Sequence, residues 1–279
     1  MSSPIPILPD RRGARASAKV EAARARTAAL AIELHRAIER NEIAVLFQPQ
    51  VCIANDRIAG AEALARWDHP ERGALGADPL FAAAERADLG VVLSDHIHRV
   101  ALAHAAAWPP ALAHLAVSLN VTAADIACTG FAQAFLARVA ASGVAPERIT
   151  VEITETALIT DLAAAARALE TLRAAGIRIA IDDFGTGYAS FAYLKALPLD
   201  RLKIDRSLVG DIADSPRGRA VVRGIIAMAE ALDLQVIAEG VETRAQRDVL
   251  AAERCGWYQG FLCAGAVDAI GLARLVDRP

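Results

Sequence analysis

Aromatic residues are scarce in this chain: Phe, Trp and Tyr make up 5% of its 279 residues, while 54% are hydrophobic. A core made largely of Ala, Leu, Ile and Val suits many helices packed on apolar strands. Apolar runs of membrane-spanning length are absent, and no apolar signal region follows the N-terminal charges. We therefore expect a cytoplasmic protein with no membrane span.

Cysteine is rare as well, and its spacing excludes two common uses. Cys52, Cys128, Cys255 and Cys263 form no CxxC pair and no pattern with histidine, so we expect buried free thiols rather than disulfides or a zinc site. The net charge of −3 argues against binding a nucleic-acid polymer. It leaves open a small phosphate ligand bound through a metal.

Lysine is the rarest charged residue, present only as Lys19, Lys195 and Lys203. Lys203 lies inside the run RLKID, where a compact ammonium group could hold a hydroxide or a phosphate oxygen. The alternative is a structural salt bridge to Asp205.

Short apolar runs alternate with longer Ala/Leu-rich helical patterns from Leu30 onward. Residues 1–27 are rich in Pro, Arg and Ala, and we interpret them as a flexible N-terminal tail, with a membrane or partner contact as the alternative. The predicted strands are 44–48, 58–64, 115–120, 149–154, 177–182, 202–205, 235–239 and 258–262. The predicted helices are 30–40, 79–106, 130–142, 159–175, 215–232 and 243–253. Eight strands interleaved with helices indicate an α/β barrel in one domain.

Polar residues stand near the carboxyl ends of most predicted strands. They are Glu62, Asn120, Glu152, the adjacent pair Asp182 and Asp183, Lys203, and Glu239. In a barrel these ends converge on one face, where active sites are built. Carboxylates gathered there need a positive partner, and oxygen ligands suit Mg²⁺ or Mn²⁺. Two such ions are typical of phosphodiester hydrolysis.

Three other patterns have weaker interpretations. The DFG at 183–185 has no HRD-type loop before it, which argues against a kinase, and the GTG at 185–187 is too short for a dinucleotide fingerprint. His96 and His98 are too close in sequence to share a helix face, which favours packing or solvated roles over metal binding. The three tryptophans are expected in the core or at a rim.

Eight ordered motifs between about residues 30 and 265 resemble the EAL family of cyclic di-GMP phosphodiesterases. They are FQP at 47–49, EALARW at 62–67, SLNVT at 118–122, EITE at 152–155, DDFGTGYAS at 182–190, KID at 203–205, AEGVET at 238–243 and QGF at 259–261. The resemblance implies a TIM-like (β/α)8 barrel whose first strand is antiparallel, with residues 28–279 as the phosphodiesterase domain. It also implies hydrolysis of cyclic di-GMP to linear pGpG.

The same resemblance implies the roles of individual residues. Two ions per site would be held by Glu62, Asn120, Glu152, Asp182 and Asp183. Lys203 would position or deprotonate the attacking water, with Glu239 supporting the second ion or its water, and Glu62 is counted with them as catalytic. Substrate contacts would be Gln48, Arg66, Glu242 and Gln259. A loop of Phe184, Gly185, Thr186 and Gly187, held by Glu155, would couple a homodimer to metal binding.

Two alternatives to this enzyme stay open. A non-catalytic cyclic di-GMP receptor or an EAL-like interaction module would be expected to lack Glu62, an aspartate of the pair, Lys203 or Glu239, and all are present. Cleavage of another phosphodiester, such as pGpG itself, is the second, because metals recognise phosphate rather than the base.

Overall fold

The computed structural model describes residues 29–71, 73–154, 161–185 and 191–277. The N-terminal tail predicted at 1–27 lies outside these residues. Among the described helices, none is long and apolar enough to cross a bilayer.

A closed barrel of eight strands forms the centre of the fold, and a ninth strand lies outside it. The strands are β1 (Ile43–Cys52), β2 (Arg57–His69), β3 (Gly73–Leu75), β4 (Ala116–Val121), β5 (Ile149–Thr154), β6 (Arg178–Phe184), β7 (Arg201–Ile204), β8 (Gln235–Ala238) and β9 (Trp257–Gln259). Their order is β1-β9-β8-β7-β6-β5-β4-β2-β3, and the β1–β2 pairing closes the ring. Strand β1 is antiparallel to both of its neighbours, whereas β2 and β4 to β9 are parallel. The predicted barrel with an antiparallel first strand is therefore confirmed.

Helices cover the outside of the barrel between the strands. The first, α1, comprises residues 29–39. The others are α2 (Ala77–Arg86), α3 (Gly90–Ala106), α4 (Ala123–Ala127), α5 (Phe131–Ser142), α6 (Leu162–Ala174), α7 (Phe191–Ala196), α8 (Arg206–Val209), α9 (Pro216–Ala231), α10 (Arg244–Ala252) and α11 (Ala269–Val276). Short 3₁₀ turns at Pro110–Leu112 and Pro146–Arg148 lead toward β4 and β5.

Several predicted elements differ from the structure, and the strand predicted over 44–48 is twice as long, Ile43–Cys52. The helix predicted over 79–106 is two helices, because Asp88 adopts a left-handed conformation (φ 55°) that ends one and redirects the chain into the next. The strand predicted over 58–64 continues to His69, where it pairs with the short outer strand β3. The strand predicted over 258–262 ends at Gln259, before Gly260, whose φ of 158° brings its backbone against that of Val241.

The core follows from the composition. Strand β6 buries apolar side chains on both faces, as expected of a parallel strand between barrel interior and helices. Two of the few aromatic residues, Phe47 of β1 and Trp108 just after α3, are buried and pack edge-on with ring centroids 5.1 Å apart. None of the four cysteines forms a disulfide within the described chain, but the expectation that they are buried is correct only for Cys255, and Cys128 is exposed.

Candidate active site

Four carboxylates surround a single ammonium group at the carboxyl-terminal end of the barrel. The Nζ atom of Lys203 lies 2.6 Å from Glu152, 2.8 Å from Glu239, 3.1 Å from Asp182 and 3.2 Å from Glu62. Lys203 is completely buried. If all four carboxylates are ionised, the cluster carries three uncompensated negative charges, an arrangement that favours an additional cation.

The sheet register brings these groups together from distant parts of the sequence. Glu62 of β2 pairs with Ser118 of β4, and Asn120 pairs with Glu152 on the next strand. Because parallel strands end at the same side of the barrel, side chains at their carboxyl ends meet there. Glu62 lies in mid-strand, but it is the last residue of β2 in the ladder with β4. The part of β2 beyond it pairs with β1 and β3, so Glu62 still stands at the carboxyl end of the parallel sheet.

The adjacent aspartates reach the same site because the strand is irregular between them. Successive side chains of a regular strand point to opposite faces. Asp183 instead has a φ of 55°, and the ladder between β6 and β7 is interrupted between Ile181 and Phe184. Oxygens of Asp182, Asp183 and Glu239 consequently lie within 4.8 Å of one another. Strain of this kind is typical of functional sites.

A second group of ligand atoms lies beside the first and shares Asp182 with it. Oxygens of Glu62, Glu152 and Asp182 lie within 4.8 Å of one another. The amide nitrogen of Asn120 donates to Glu62 Oε1 at 2.8 Å, so that nitrogen is occupied while the amide oxygen is available as a ligand. Buried His98 donates from Nε2 to the backbone oxygen of Asn120 at 2.8 Å and fixes this segment. Oxygen-only groups of this kind suit hard cations.

Burial and mutual repulsion control the protonation of the cluster. Burial raises the pKa of Glu152 to about 7 and that of Glu239 to about 8, against the opposing attraction of Lys203. Burial also raises the pKa of Asp182. Burial would raise the pKa of Glu62 as well, but the charge of Lys203 and the hydrogen bonds that Glu62 accepts bring this pKa below the usual value. Burial would lower the pKa of Lys203, but the four carboxylates raise it well above 10.5.

The metal-free protein should lose stability as the pH rises from about 5 to about 9. The pKa values of Glu152 and Glu239 are about 7 and about 8 in the folded state, against 4.5 for an ordinary glutamate. In this window the folded state binds more protons than the unfolded state, so the free energy of unfolding falls with pH, by up to about 1.4 kcal/mol per pH unit for each proton. Thermal unfolding in EDTA across this range measures the slope.

Two controls make this pH test specific. The variant Glu239→Gln should show a shallower slope around pH 8, because it lacks one of the two groups. Saturating Mn²⁺ should abolish the slope, since a bound cation holds the carboxylates ionised. A flat stability profile in EDTA would contradict the assignment of raised pKa values to these groups.

A cavity of about 730 Å³ opens above the cluster and contains the predicted substrate residues. Its lining includes Gln48, Arg66, Glu242 and Gln259, together with Glu62, Asn120, Asp182, Asp183 and Glu239. Within the described chain, Arg66 hydrogen-bonds only to the backbone oxygen of Ala65, so its guanidinium group is available to a ligand. Gln259, in contrast, is buried, and its amide nitrogen donates to Glu62 at 2.6 Å and to Gln48 at 3.1 Å.

Among the cavity-lining residues that were not predicted from the sequence, four have aromatic or charged side chains. They are Phe81 and Glu85 of α2, Arg206 at the start of α8, and Phe261, which is 72% exposed. Phe261 belongs to the QGF motif and so had a sequence signal, whereas helix α2 reaches the cavity through its tertiary packing.

The predicted coupling loop is only partly described. Phe184 is buried, and Gly185 has a φ of 103°, where an added Cβ would lie 2.4 Å from Leu208. Glu155, Thr186 and Gly187 lie outside the described residues. The role of this loop therefore stays a prediction.

The structure decides two of the alternatives raised by the sequence. Asp205 caps helix α8 by accepting from the backbone nitrogen of Ser207 at 2.9 Å, while Lys203 bonds to the four carboxylates, so the salt-bridge interpretation is wrong. His96 and His98 are both buried packing residues. Trp67 and Trp108 lie in the core, as expected.

Comparison with known proteins places this barrel and its acidic site in one family. The chain matches the EAL domain over residues 31–266, and it belongs to this family. A cyclic di-GMP phosphodiesterase of Pseudomonas aeruginosa, PA2567, is 34% identical over 252 residues, covering 90% of this chain and 43% of that protein. An uncharacterized protein of Mycobacterium tuberculosis is 38% identical over 250 residues, covering 88% of this chain and 40% of that protein. The chain thus spans about two fifths of the length of these curated relatives.

Solved structures agree with this assignment. A structure of the MucR phosphodiesterase in complex with c-di-GMP has a TM-score of 0.81 and 34% identity, covering 87% of this chain and 99% of that one. The EAL enzyme Bd1971, bound to cAMP and cyclic di-GMP, has a TM-score of 0.87 and 28% identity, covering 96% of this chain and 73% of that one. Similarity therefore extends across most of the described barrel.

Proposed function

We propose that the protein is a metal-dependent phosphodiesterase that hydrolyses cyclic di-GMP to linear pGpG. The observation that carries this proposal is the cluster itself: two overlapping groups of carboxylates and a buried lysine at the base of one cavity. Related proteins that bear this activity in their names, and a related structure that holds c-di-GMP, support the choice of substrate.

The residues present fit two hard divalent cations, which we propose to be Mg²⁺ or Mn²⁺. Glu62, Asn120, Glu152 and Asp182 would hold one ion, and Asp182 and Asp183 would hold the second. When bound, such a pair of ions activates water and stabilises the leaving oxygen of a phosphodiester. With all four carboxylates ionised, three negative charges around Lys203 would be uncompensated, and this gives the electrostatic reason for cation binding.

The chain's own side chains would orient the reactants. Lys203, held protonated, would donate a hydrogen bond from a fixed position and so orient the attacking water, or would help its deprotonation through the positive charge of the ammonium group. Glu239, whose pKa is about 8 in the metal-free site, supports that water or the second ion. Arg66 and Gln48 contact the substrate phosphate or sugar from the β1–β2 side, and Glu242 and Gln259 complete the cavity.

Assembly and domain organisation complete the proposal. Residues 28–279 would form the phosphodiesterase domain behind a flexible tail, and two copies would pair into a homodimer coupled to the loop at 184–187. That the protein works in the cytoplasm stays a prediction from the sequence.

Chromatography of the nucleotides after incubation with cyclic di-GMP tests this function. We expect pGpG to appear with Mg²⁺ or Mn²⁺ and not with EDTA, and the size of the protein in solution can be measured on the same sample. If cyclic di-GMP binds but is not cut with either metal, a receptor or an enzyme activated by a partner becomes the leading account. Supplying pGpG as the substrate determines whether a second phosphodiester is also cleaved.

A further inference from the structure

Gln50 is a buried polar side chain inside the barrel to which the proposed mechanism gives no role. It lies on β1 and is 1% exposed. Its amide nitrogen lies 3.4 Å from Glu152 Oε1, 3.2 Å from Gln259 Oε1 and 3.3 Å from Ser118 Oγ. These acceptors belong to three different strands. Because buried polar groups are stable only when hydrogen-bonded, the contacts fix the relative positions of the four side chains.

A second glutamine extends this contact to the other side of the ligand cluster. Gln259 accepts from Gln50 and donates to Glu62 Oε2 at 2.6 Å. An unbroken path of hydrogen bonds therefore runs from Glu152 on β5 through two amides to Glu62 on β2. Both carboxylates belong to the same group of potential metal ligands.

Lys203 alone cannot orient the whole cluster. An ammonium group has three hydrogens, whereas four carboxylates lie within 3.2 Å of Nζ. Amide donors add hydrogen bonds without adding positive charge, so they hold the carboxylates in place while leaving the site attractive to a cation.

We propose that Gln50 is a positioning residue that sets the orientation of Glu152 directly, and of Glu62 through Gln259, for metal binding. This inference rests on the proposed metal-dependent function. The space for Gln50 is provided by Gly60, its partner across the β1–β2 ladder. A Cβ atom on Gly60 would lie 3.1 Å from Gln50 Oε1 and 3.3 Å from the backbone oxygen of Ala116. Any larger residue at that position would displace the amide.

Direct titration of the metal-free protein with Mn²⁺ tests the role of Gln50. Gln50→Met keeps the length of the side chain and removes its hydrogen bonds. Mn²⁺ binding, measured by calorimetry, should weaken about 10–100-fold, as is typical for losing a group that orients metal ligands. The KM for cyclic di-GMP at saturating metal should change less than the Mn²⁺ affinity, because Gln50 reaches the cavity only through Gln259.

A matched control separates this role from loss of stability. Gln246 is another buried glutamine, on α10, whose amide nitrogen donates to the backbone oxygen of Gly210 at 3.0 Å. Gln246→Met should lower the melting temperature and leave Mn²⁺ affinity unchanged. Gly60→Ala should also weaken Mn²⁺ binding, but by less than Gln50→Met. If Gln50→Met does not fold, the Mn²⁺ affinity of Gly60→Ala tests the role of Gln50 in its place.

Each outcome decides the proposal. Mn²⁺ affinity within about twofold of wild type in both Gln50→Met and Gly60→Ala, or equal weakening in Gln246→Met, would overturn it. Wild-type protein that binds no Mn²⁺ would overturn it together with the metal site. Wild-type protein that binds Mn²⁺ but leaves cyclic di-GMP uncut would overturn only the proposed function, since the affinities would still report on Gln50.

Discussion

Asp182→Asn should abolish hydrolysis of cyclic di-GMP, with kcat at least about 10³-fold lower, while the protein stays folded. Asp182 is the one residue shared by the two groups of potential metal ligands. Weakening both ions removes several kcal/mol of transition-state stabilisation, and each 1.4 kcal/mol corresponds to a tenfold change in rate. Asparagine has nearly the same shape and can still accept the hydrogen bond that Asp182 receives from the backbone nitrogen of Asp183.

Stability should respond to this substitution in the opposite direction from activity. Burial and the charge of Glu62 raise the pKa of Asp182, so ionising it is unfavourable when no metal is bound. In EDTA at pH 8 we therefore expect Asp182→Asn to melt at the wild-type temperature or above it. The three carboxylates that remain still pair with Lys203.

Asp205→Asn is a matched control for the loss of a strand-end aspartate. Asp205 caps α8 and is not part of the cavity lining, and asparagine is a good capping residue. We expect turnover within about twofold of wild type. Wild-type turnover by Asp182→Asn, measured by chromatography at saturating Mn²⁺, would contradict the assignment of Asp182 as a shared ligand.

The convergence of the polar side chains on one site could be predicted because most of them interrupt an apolar strand pattern near a strand end. Asn120, Glu152 and Glu239 follow runs of buried residues, and the rule that such ends converge in a barrel brings them together. The fold class was predicted from the same alternation of strands and helices. The antiparallel first strand came from the resemblance alone, since periodicity carries no information about direction.

Tertiary contacts explain what the sequence could not predict. Asp182 and Asp183 face the same site only because a left-handed residue interrupts the strand, and nothing in the letters DD indicates that conformation. Gln50 stands out in the sequence as a polar residue in an apolar strand. Its hydrogen-bond partners could not be predicted, because they lie 68 to 209 residues away along the chain. The contribution of α2 to the cavity likewise depends on how that helix packs over the barrel.

Lys203→Met should lower kcat about 10²–10³-fold, as is typical for removing a preorganised hydrogen-bond donor, and change the KM for cyclic di-GMP far less. Lys203 is completely buried beneath the cavity and is not part of its lining, so its effect on the bound substrate comes through the reacting water. An equal loss of turnover and of substrate binding would instead favour a purely structural role.

The same variant should be strongly destabilised without metal, and more so at higher pH. The raised pKa of Lys203 means that its stabilising charge is present throughout pH 6–9 in the wild type and is lost only above about 10.5. Removing one partner from a buried ionic cluster costs about 3–5 kcal/mol when the remaining charges persist. At pH 6 the carboxylates can take up protons instead, so the loss should be smaller there than at pH 9.

Saturating Mn²⁺ should restore most of the stability lost in Lys203→Met, because a divalent cation then neutralises the carboxylates that the ammonium group had paired with. Urea unfolding at pH 6 and pH 9, in EDTA and in Mn²⁺, gives the free energy of unfolding of each protein under these four conditions. Recovery of stability without recovery of turnover would separate the two roles of Lys203, as counter-charge for the cluster and as the donor that orients the attacking water. A loss of stability that neither pH nor Mn²⁺ changes would show that the lysine contributes through packing, and that its charge is not what holds the carboxylates together.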